Sequence, residues 1–264
     1  NPDPRHGLLI LGMHRSGTSM VAEVLHRCGL PVAAELIPDE PAVNQRGFWE
    51  DRRMVQINEE LLDSLGSSWF DCRPLPPDWL SRPEVTEKLD AAASLLTDNY
   101  AAAATGSDLP GLAKDPRLCR LLPFWLQACS QARLAPRVII VLRSPAAVAD
   151  SLLRRDSLPL AYGMQLWLAN YQVLLRASQT LEITLVDYDD FLDAPELQLK
   201  QLLQSLQLDA DSDSALGSGA VDNALRRSRP SASEEQHSDA TRHYAYVLYE
   251  ALKAGQLSPA GRKL

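Results

Sequence analysis

The chain is poor in cysteine and has no cysteine pattern that performs chemistry by itself. Its four cysteines are Cys28, Cys72, Cys119 and Cys129; none pairs in C-x-x-C spacing, and no histidines follow at zinc-like intervals. Neither a metal site nor a redox pair is therefore expected. Cys28, Cys119 and Cys129 fall in predicted helices, where small buried thiols are ordinary, and the expected compartment is reducing and cytoplasmic. No apolar run approaches the ~20 residues of a membrane-spanning helix. Positive charge is also short: 26 Lys and Arg against 34 Asp and Glu give a net charge of -8. Nucleic acid and anionic membranes are thus not expected partners, and an anionic ligand must be held by a local cluster of cations. No internal repeat is visible, and nothing specifies an oligomeric state. The chain begins at Asn1 rather than at a methionine, which leaves room for a leader or an upstream domain.

What is present reads as one α/β domain over 1–264. Hydrophobic residues make up 45% and charged residues 23%, enough for a sizeable core. A short continuous apolar run at 8–12, the segment 137–142 with its β-branched, apolar middle, the segment 182–186 and a briefer one at 111–114 read as parallel strands. Between them lie helical periodicities from Met20 to Cys28, over about 50–65, 83–104, 118–129 and 159–178, in two short stretches to about 206, and at 239–254. Ser144 and Pro145 suit an N-cap and a first helical position. Residues 209–219 read as a flexible acidic connector. Strands alternating with helices predict a parallel sheet of about five strands covered on both faces.

Two strand-to-helix junctions carry the chemistry. In Gly12-Met13-His14-Arg15-Ser16-Gly17-Thr18-Ser19 the glycines are four residues apart, as in a phosphate-binding P-loop. Successive backbone N–H groups from Arg15 to Ser19 can curl around an anion at a helix N-terminus. The lysine that would follow Gly17 in an ATP-binding loop is absent. The cation stands earlier, at Arg15, where it meets the near phosphate of a ligand rather than the far end of a triphosphate. The second junction is Arg143-Ser144-Pro145, with Ser151 eight positions after Arg143. A guanidinium and a hydroxyl two turns apart can converge on one phosphate.

Arg15 through Ser19 resembles the 5′-phosphosulfate loop of the sulfotransferases that use 3′-phosphoadenosine 5′-phosphosulfate (PAPS). Arg143 and Ser151 resemble the 3′-phosphate motif of the same family. The resemblance spans residue 8 to about 157. It implies a P-loop NTPase-like three-layer sandwich with a central parallel sheet and helical insertions, PAPS as co-substrate without a metal, and transfer of a sulfuryl group to a hydroxyl or amine. His14, Arg15, Ser16, Gly17, Thr18 and Ser19 would then face the 5′ end, and Arg143 and Ser151 the 3′-phosphate. Lys114-Asp115-Pro116 is similar to the Lys-Asp-Pro of the tyrosylprotein sulfotransferase branch, which makes Lys114 and Arg15 the cations of the transferring group. A late basic cluster, Arg226 and Arg227 with Arg229, corresponds loosely to the segment that closes over the 3′-phosphate.

In the cytosolic branch of that family a base histidine stands two residues after the lysine; here that position is Pro116. The base is then expected among Glu35, Glu40 and Glu50 of the excursion after the loop. Glu50 is favoured because Phe48 and Trp49 beside it can desolvate the carboxylate. The competing reading makes Glu50 an acid in the first turn of a helix, complementing its dipole. Two other functions stay open: a small ATP-dependent P-loop kinase, in which Asp187 would be the magnesium-supporting acid, and a non-catalytic nucleotide-binding module. Without the P-loop lysine, Asp187 is expected to be a structural carboxylate or cap. The acceptor can be a carbohydrate, a peptide or a small molecule, with carbohydrate preferred.

Overall fold

The computed structural model describes residues 5–38, 47–100, 109–177, 181–210, 215, 240–255 and 262–263. Five parallel strands form one sheet in the order β2-β1-β3-β4-β5: β1 (Arg5–Leu11), β2 (Gly111–Lys114), β3 (Leu134–Leu142), β4 (Ile183–Asp187) and β5 (Arg262–Lys263). β1 pairs with β2 through Ile10 opposite Lys114, and with β3 through Leu11 opposite Ile140. Leu142 stands opposite Asp187 of β4. The four longer strands therefore end along one edge. The chain runs one way from β1 to β2 and the other way to β3, so the edge beside β1 and β3 is the switch point where ligands of such sheets bind.

Alternation along the strands explains the layers. Leu8 and Ile10 point to one face, packing with α1 (Thr18–Arg27) and with the two helices that follow β4. Leu9 and Leu11 point to the other face and join a larger core. That core is covered by α2 (Arg52–Ser64), α4 (Leu89–Tyr100) and α5 (Leu118–Gln131). The short α3 (Pro83–Thr86) precedes α4, so the single helix expected over 83–104 is broken at Glu87 and Lys88; 101–104 lie outside the described residues. Neither residue at the break is Pro or Gly, and nothing local announces it. Leu8 through Leu11 are at most 1% exposed, so truncating one of them to alanine costs about 2–5 kcal/mol.

After β3 come α6 (Pro145–Asp156) and α7 (Leu160–Ala177), after β4 come α8 (Tyr188–Asp193) and α9 (Pro195–Ser205), and α10 (Ala240–Lys253) precedes β5. α8 and α9 share the face of α1, whereas α7 and α10 lie on the other. Gly163 lets α6 and α7 approach closely, since a Cβ there would sit 2.8 Å from the Cα of Ala149. No helix among the described residues is long and apolar enough to cross a membrane. Of the connector at 209–219, only Asp209, Ala210 and Ala215 are described; Glu40, Arg226, Arg227 and Arg229 lie outside the described residues.

Candidate active site

The glycine turn leaves β1 at Leu11 and enters α1 at Thr18, with Gly17 as N-cap. Gly17 has φ 93°, and a Cβ there would fall 2.1 Å from Cδ2 of Tyr188. Only glycine fits, on both backbone and steric grounds. As an N-cap it brings no side-chain acceptor to the first turn of α1, a geometry that leaves the helix start to an anion. Arg15 also adopts a positive φ, 70°, the kind of uncommon backbone that gathers at binding sites.

The second junction meets this turn directly. Arg143 donates from Nη1 to the Arg15 carbonyl at 2.9 Å, and Arg15 Nε donates to Ser151 Oγ at 2.8 Å. The loop and the far grip, read as separate anchors in the sequence, are thus one continuous surface. It exists because β1 and β3 are neighbours and Ser151 lies two turns along α6. Arg143 packs over the Tyr188 ring, 4.5 Å from its centroid. Burial, with repulsion from Arg155 and Arg143, brings the Arg15 pKa down to about 10, which leaves it a cation at neutral pH. Burial also lowers that of Arg143.

Helix α7 supports both junctions from below. Trp167 donates from Nε1 to the Arg143 carbonyl at 3.0 Å. One turn on, the Tyr171 hydroxyl donates to the Val141 carbonyl at 2.6 Å and lies 3.2 Å from Ser16 Oγ. The two rings pack at 4.3 Å.

Lys114 is the last residue of β2 and shares the face of Leu112, toward α1. That alternation brings its ammonium to Ser19 Oγ at 3.2 Å, the Phe48 carbonyl at 2.8 Å and Glu50 Oε1 at 2.6 Å. Lys114 and Glu50 are both buried, at 3% and 4% exposure. Burial raises the Glu50 pKa above the ordinary carboxylate value, while Lys114 and Arg117 act in the opposite direction. Arg117 lies 3.5 Å from Glu50 Oε2 and pairs with Asp115 at 2.9 Å and with Glu59. Asp115 in turn accepts from Asn58 Nδ2 at 2.9 Å.

Three side-chain atoms among the described residues are buried without a hydrogen-bond partner: His14 Nε2, Arg143 Nε and Ser144 Oγ. All three belong to the two junctions. Each such atom carries a desolvation cost of about 1–3 kcal/mol, and clustering at one edge of the sheet marks a place shaped for a polar ligand. Comparison with known families then decides the class: the family described as "Sulfotransferase family" matches residues 7–213. The chain belongs to the sulfotransferase family. Its reaction is PAPS-dependent sulfuryl transfer.

Two solved structures share the architecture of this sulfotransferase. The sulfotransferase domain from the Synechococcus PCC 7002 olefin synthase is 18% identical, with a TM-score of 0.58 and 96% of each chain covered. The sulfotransferase domain from the curacin biosynthetic pathway is 15% identical, with a TM-score of 0.53, covering 93% of this chain and 98% of that one. Comparison with curated protein sequences returned no match.

The sulfotransferase departs from the sequence reading at the start of α2. Glu50 is not in the first turn of a helix: α2 starts at Arg52, and its cap is Asp51, which accepts from the Arg53 and Met54 amides. Asp51 is also gripped by Asn99 at 2.8 Å and Tyr100 at 2.7 Å. Asp187, the acid of the kinase reading, caps α8 through the Asp189 and Asp190 amides, accepts from the Tyr249 hydroxyl at 2.9 Å and meets Lys253 at 3.3 Å. It is a structural carboxylate. Glu35 is exposed, and its carbonyl receives the Arg52 amide at 2.9 Å, so the buried acid of the described excursion is Glu50. No group of three or more His, Cys, Asp or Glu side chains placed to hold a metal occurs among the described residues. Sequence reasoning missed Trp69, Arg117, Arg155 and Tyr171. None lies in a recognised motif, and their roles come from contacts far apart in the chain.

Proposed function

We propose that this sulfotransferase binds PAPS across the β1–β3 edge, with the 5′ end on the Arg15–Ser19 turn and the 3′-phosphate against Arg143 and Ser151. The carrying observation is the set of three unpartnered buried atoms, His14 Nε2, Arg143 Nε and Ser144 Oγ, all at this edge. Ser151 accepts a hydrogen bond from Arg15 and keeps its own hydroxyl hydrogen for a phosphate oxygen. Arg226 and Arg227 would complete the grip from the later part of the chain.

In the transfer, the acceptor oxygen forms a bond to sulfur as the bond between sulfur and the 5′-phosphate oxygen breaks. The electron pair stays on that phosphate oxygen, so 3′,5′-adenosine bisphosphate leaves. Glu50 takes the acceptor proton, while Arg15 and Lys114 stabilise the leaving phosphate and the transferring oxygens. The raised pKa of Glu50 suits a base, and its pairing with Lys114 at 2.6 Å puts base and cation side by side. Burial of both keeps water from competing. An amine acceptor would follow the same course.

The acceptor class we put first is a carbohydrate hydroxyl. A hydroxyl on a biosynthetic intermediate stands beside it, because the two like-folded domains come from an olefin synthase and the curacin pathway. The test follows bisphosphate release from PAPS in the presence of oligosaccharides, tyrosine peptides and small alcohols. Turnover with one class, abolished by Lys114→Ala, supports the reading. Bisphosphate binding with transfer to none of them would favour a binding module.

A further inference from the structure

Trp69 belongs to no motif, yet it is the surface against which His14 is set. The two ring centroids are 4.4 Å apart, tilted by 47°. Phe70 meets the Trp69 edge at 5.4 Å and 82°, and the Arg155 guanidinium lies 5.3 Å from the Trp69 centroid. Arg155 is one turn beyond Ser151 on α6, on the same helical face. An aromatic wall, steadied by a cation from the phosphate-binding helix, thus holds the imidazole in place. Its Nε2 is nevertheless buried without a partner. A ring fixed by packing with one polar atom left over is arranged for a ligand atom.

Resting on the sulfotransferase reading, we propose that His14 contacts the transferring sulfuryl group itself, its Nε2–H donating to a sulfuryl oxygen, with Trp69 as the residue that positions the ring. His14 precedes Arg15 in the turn, within electrostatic reach of Lys114 and Arg117. Burial and the charges of Arg117, Arg155, Lys114 and Arg15 hold its pKa well below the usual histidine value. The ring is therefore neutral, a poor proton acceptor beside Glu50 but a competent donor, as neutral imidazoles are elsewhere in catalysis. No proton changes hands at His14: it orients the group while Glu50 receives the acceptor proton.

The experiment compares 3′,5′-adenosine bisphosphate with PAPS by calorimetry, because only PAPS carries the sulfuryl group. In His14→Ala, PAPS affinity falls about tenfold or more, the loss expected for a hydrogen bond to a charged group, while bisphosphate affinity stays within about twofold. His14→Gln, whose amide nitrogen can stand near the Nε2 position, keeps most of the PAPS affinity. Trp69→Ala moves in the direction of His14→Ala, again sparing the bisphosphate. Ligand-free melting curves check that each variant folds, and the glutamine variant carries the test if alanine does not. Equal losses for both ligands, or no loss for either, would overturn the role of His14 while leaving the sulfotransferase reading intact. Failure of the wild-type chain to bind the bisphosphate would overturn both.

Discussion

Arg143→Met separates binding from stability because the free protein holds this guanidinium at a disadvantage. The side chain is 6% exposed and its Nε has no partner, a cost of about 1–3 kcal/mol. Against this stand its hydrogen bond to the Arg15 carbonyl at 2.9 Å and its contact with Tyr188 at 4.5 Å. Those are worth about 1.5–3 kcal/mol and about 0.5–2 kcal/mol respectively. Methionine keeps the length, fills the space with apolar atoms and removes the unsatisfied donor. The losses outweigh the relieved cost by about 1–2 kcal/mol, part of which the apolar methionine offsets, so the unliganded variant is expected within about 2 kcal/mol of wild type. With ligand the balance disappears. Losing one or two charge-assisted bonds to the 3′-phosphate, about 2 kcal/mol, weakens bisphosphate binding about 30-fold. At a ligand concentration 100 times the wild-type Kd, the wild-type protein gains about 2.7 kcal/mol and the variant only about 0.9 kcal/mol. Urea unfolding with and without 3′,5′-adenosine bisphosphate measures both quantities. A ligand-free loss above about 3 kcal/mol together with an undiminished ligand-induced gain would refute the reasoning, making Arg143 a structural residue.

Glu50→Gln should lower turnover by about 10²–10⁴-fold, the usual span for removing a general base, with bisphosphate binding measured by calorimetry unchanged. Because burial raises the Glu50 pKa, wild-type turnover should climb with pH through a midpoint above the ordinary glutamate value of about 4.3, a limb absent in the glutamine variant. For stability the sign is opposite: between the unfolded and the raised folded pKa the folded chain holds more protons, so this group's contribution falls as pH rises through that window. Comparing denaturation midpoints of wild type and variant across the window checks it. Gly17→Ala should abolish bisphosphate binding and lower stability by about 1–3 kcal/mol, since its Cβ would meet Tyr188 at 2.1 Å; wild-type affinity would count against the turn as the anion site.

The order of elements was legible because buried parallel strands carry their signal locally. Residues 8–11 and 138–142 are apolar on both faces, and the glycine turn and the Arg–Ser pair follow directly from strand ends. The two-residue β5 gives no periodic signal at all. Asp51 was hidden by its neighbour: either acid in Trp49-Glu50-Asp51-Arg52 can begin a helix, and the choice depends on Asn99 and Tyr100, 48 and 49 positions away. The supports of the site share that character. Trp167 and Tyr171 are spaced like any core pair on α7, and only the fold reveals that their polar ends hold the Arg143 and Val141 carbonyls. Trp69 lies in a loop with no motif, and its meaning comes from the His14 and Arg155 rings and charges it meets.

A guanidinium early in the turn and an Arg–Ser grip beside it should select a nucleotide with a 3′-phosphate over one with a triphosphate. Calorimetry of the wild-type chain with 3′,5′-adenosine bisphosphate and with ATP plus magnesium tests this most directly. Tight binding of the bisphosphate, weakened by Arg143→Met, with ATP at least about a hundredfold weaker, is the predicted result. ATP binding as tightly as the bisphosphate, or bisphosphate binding indifferent to Arg143, would contradict it.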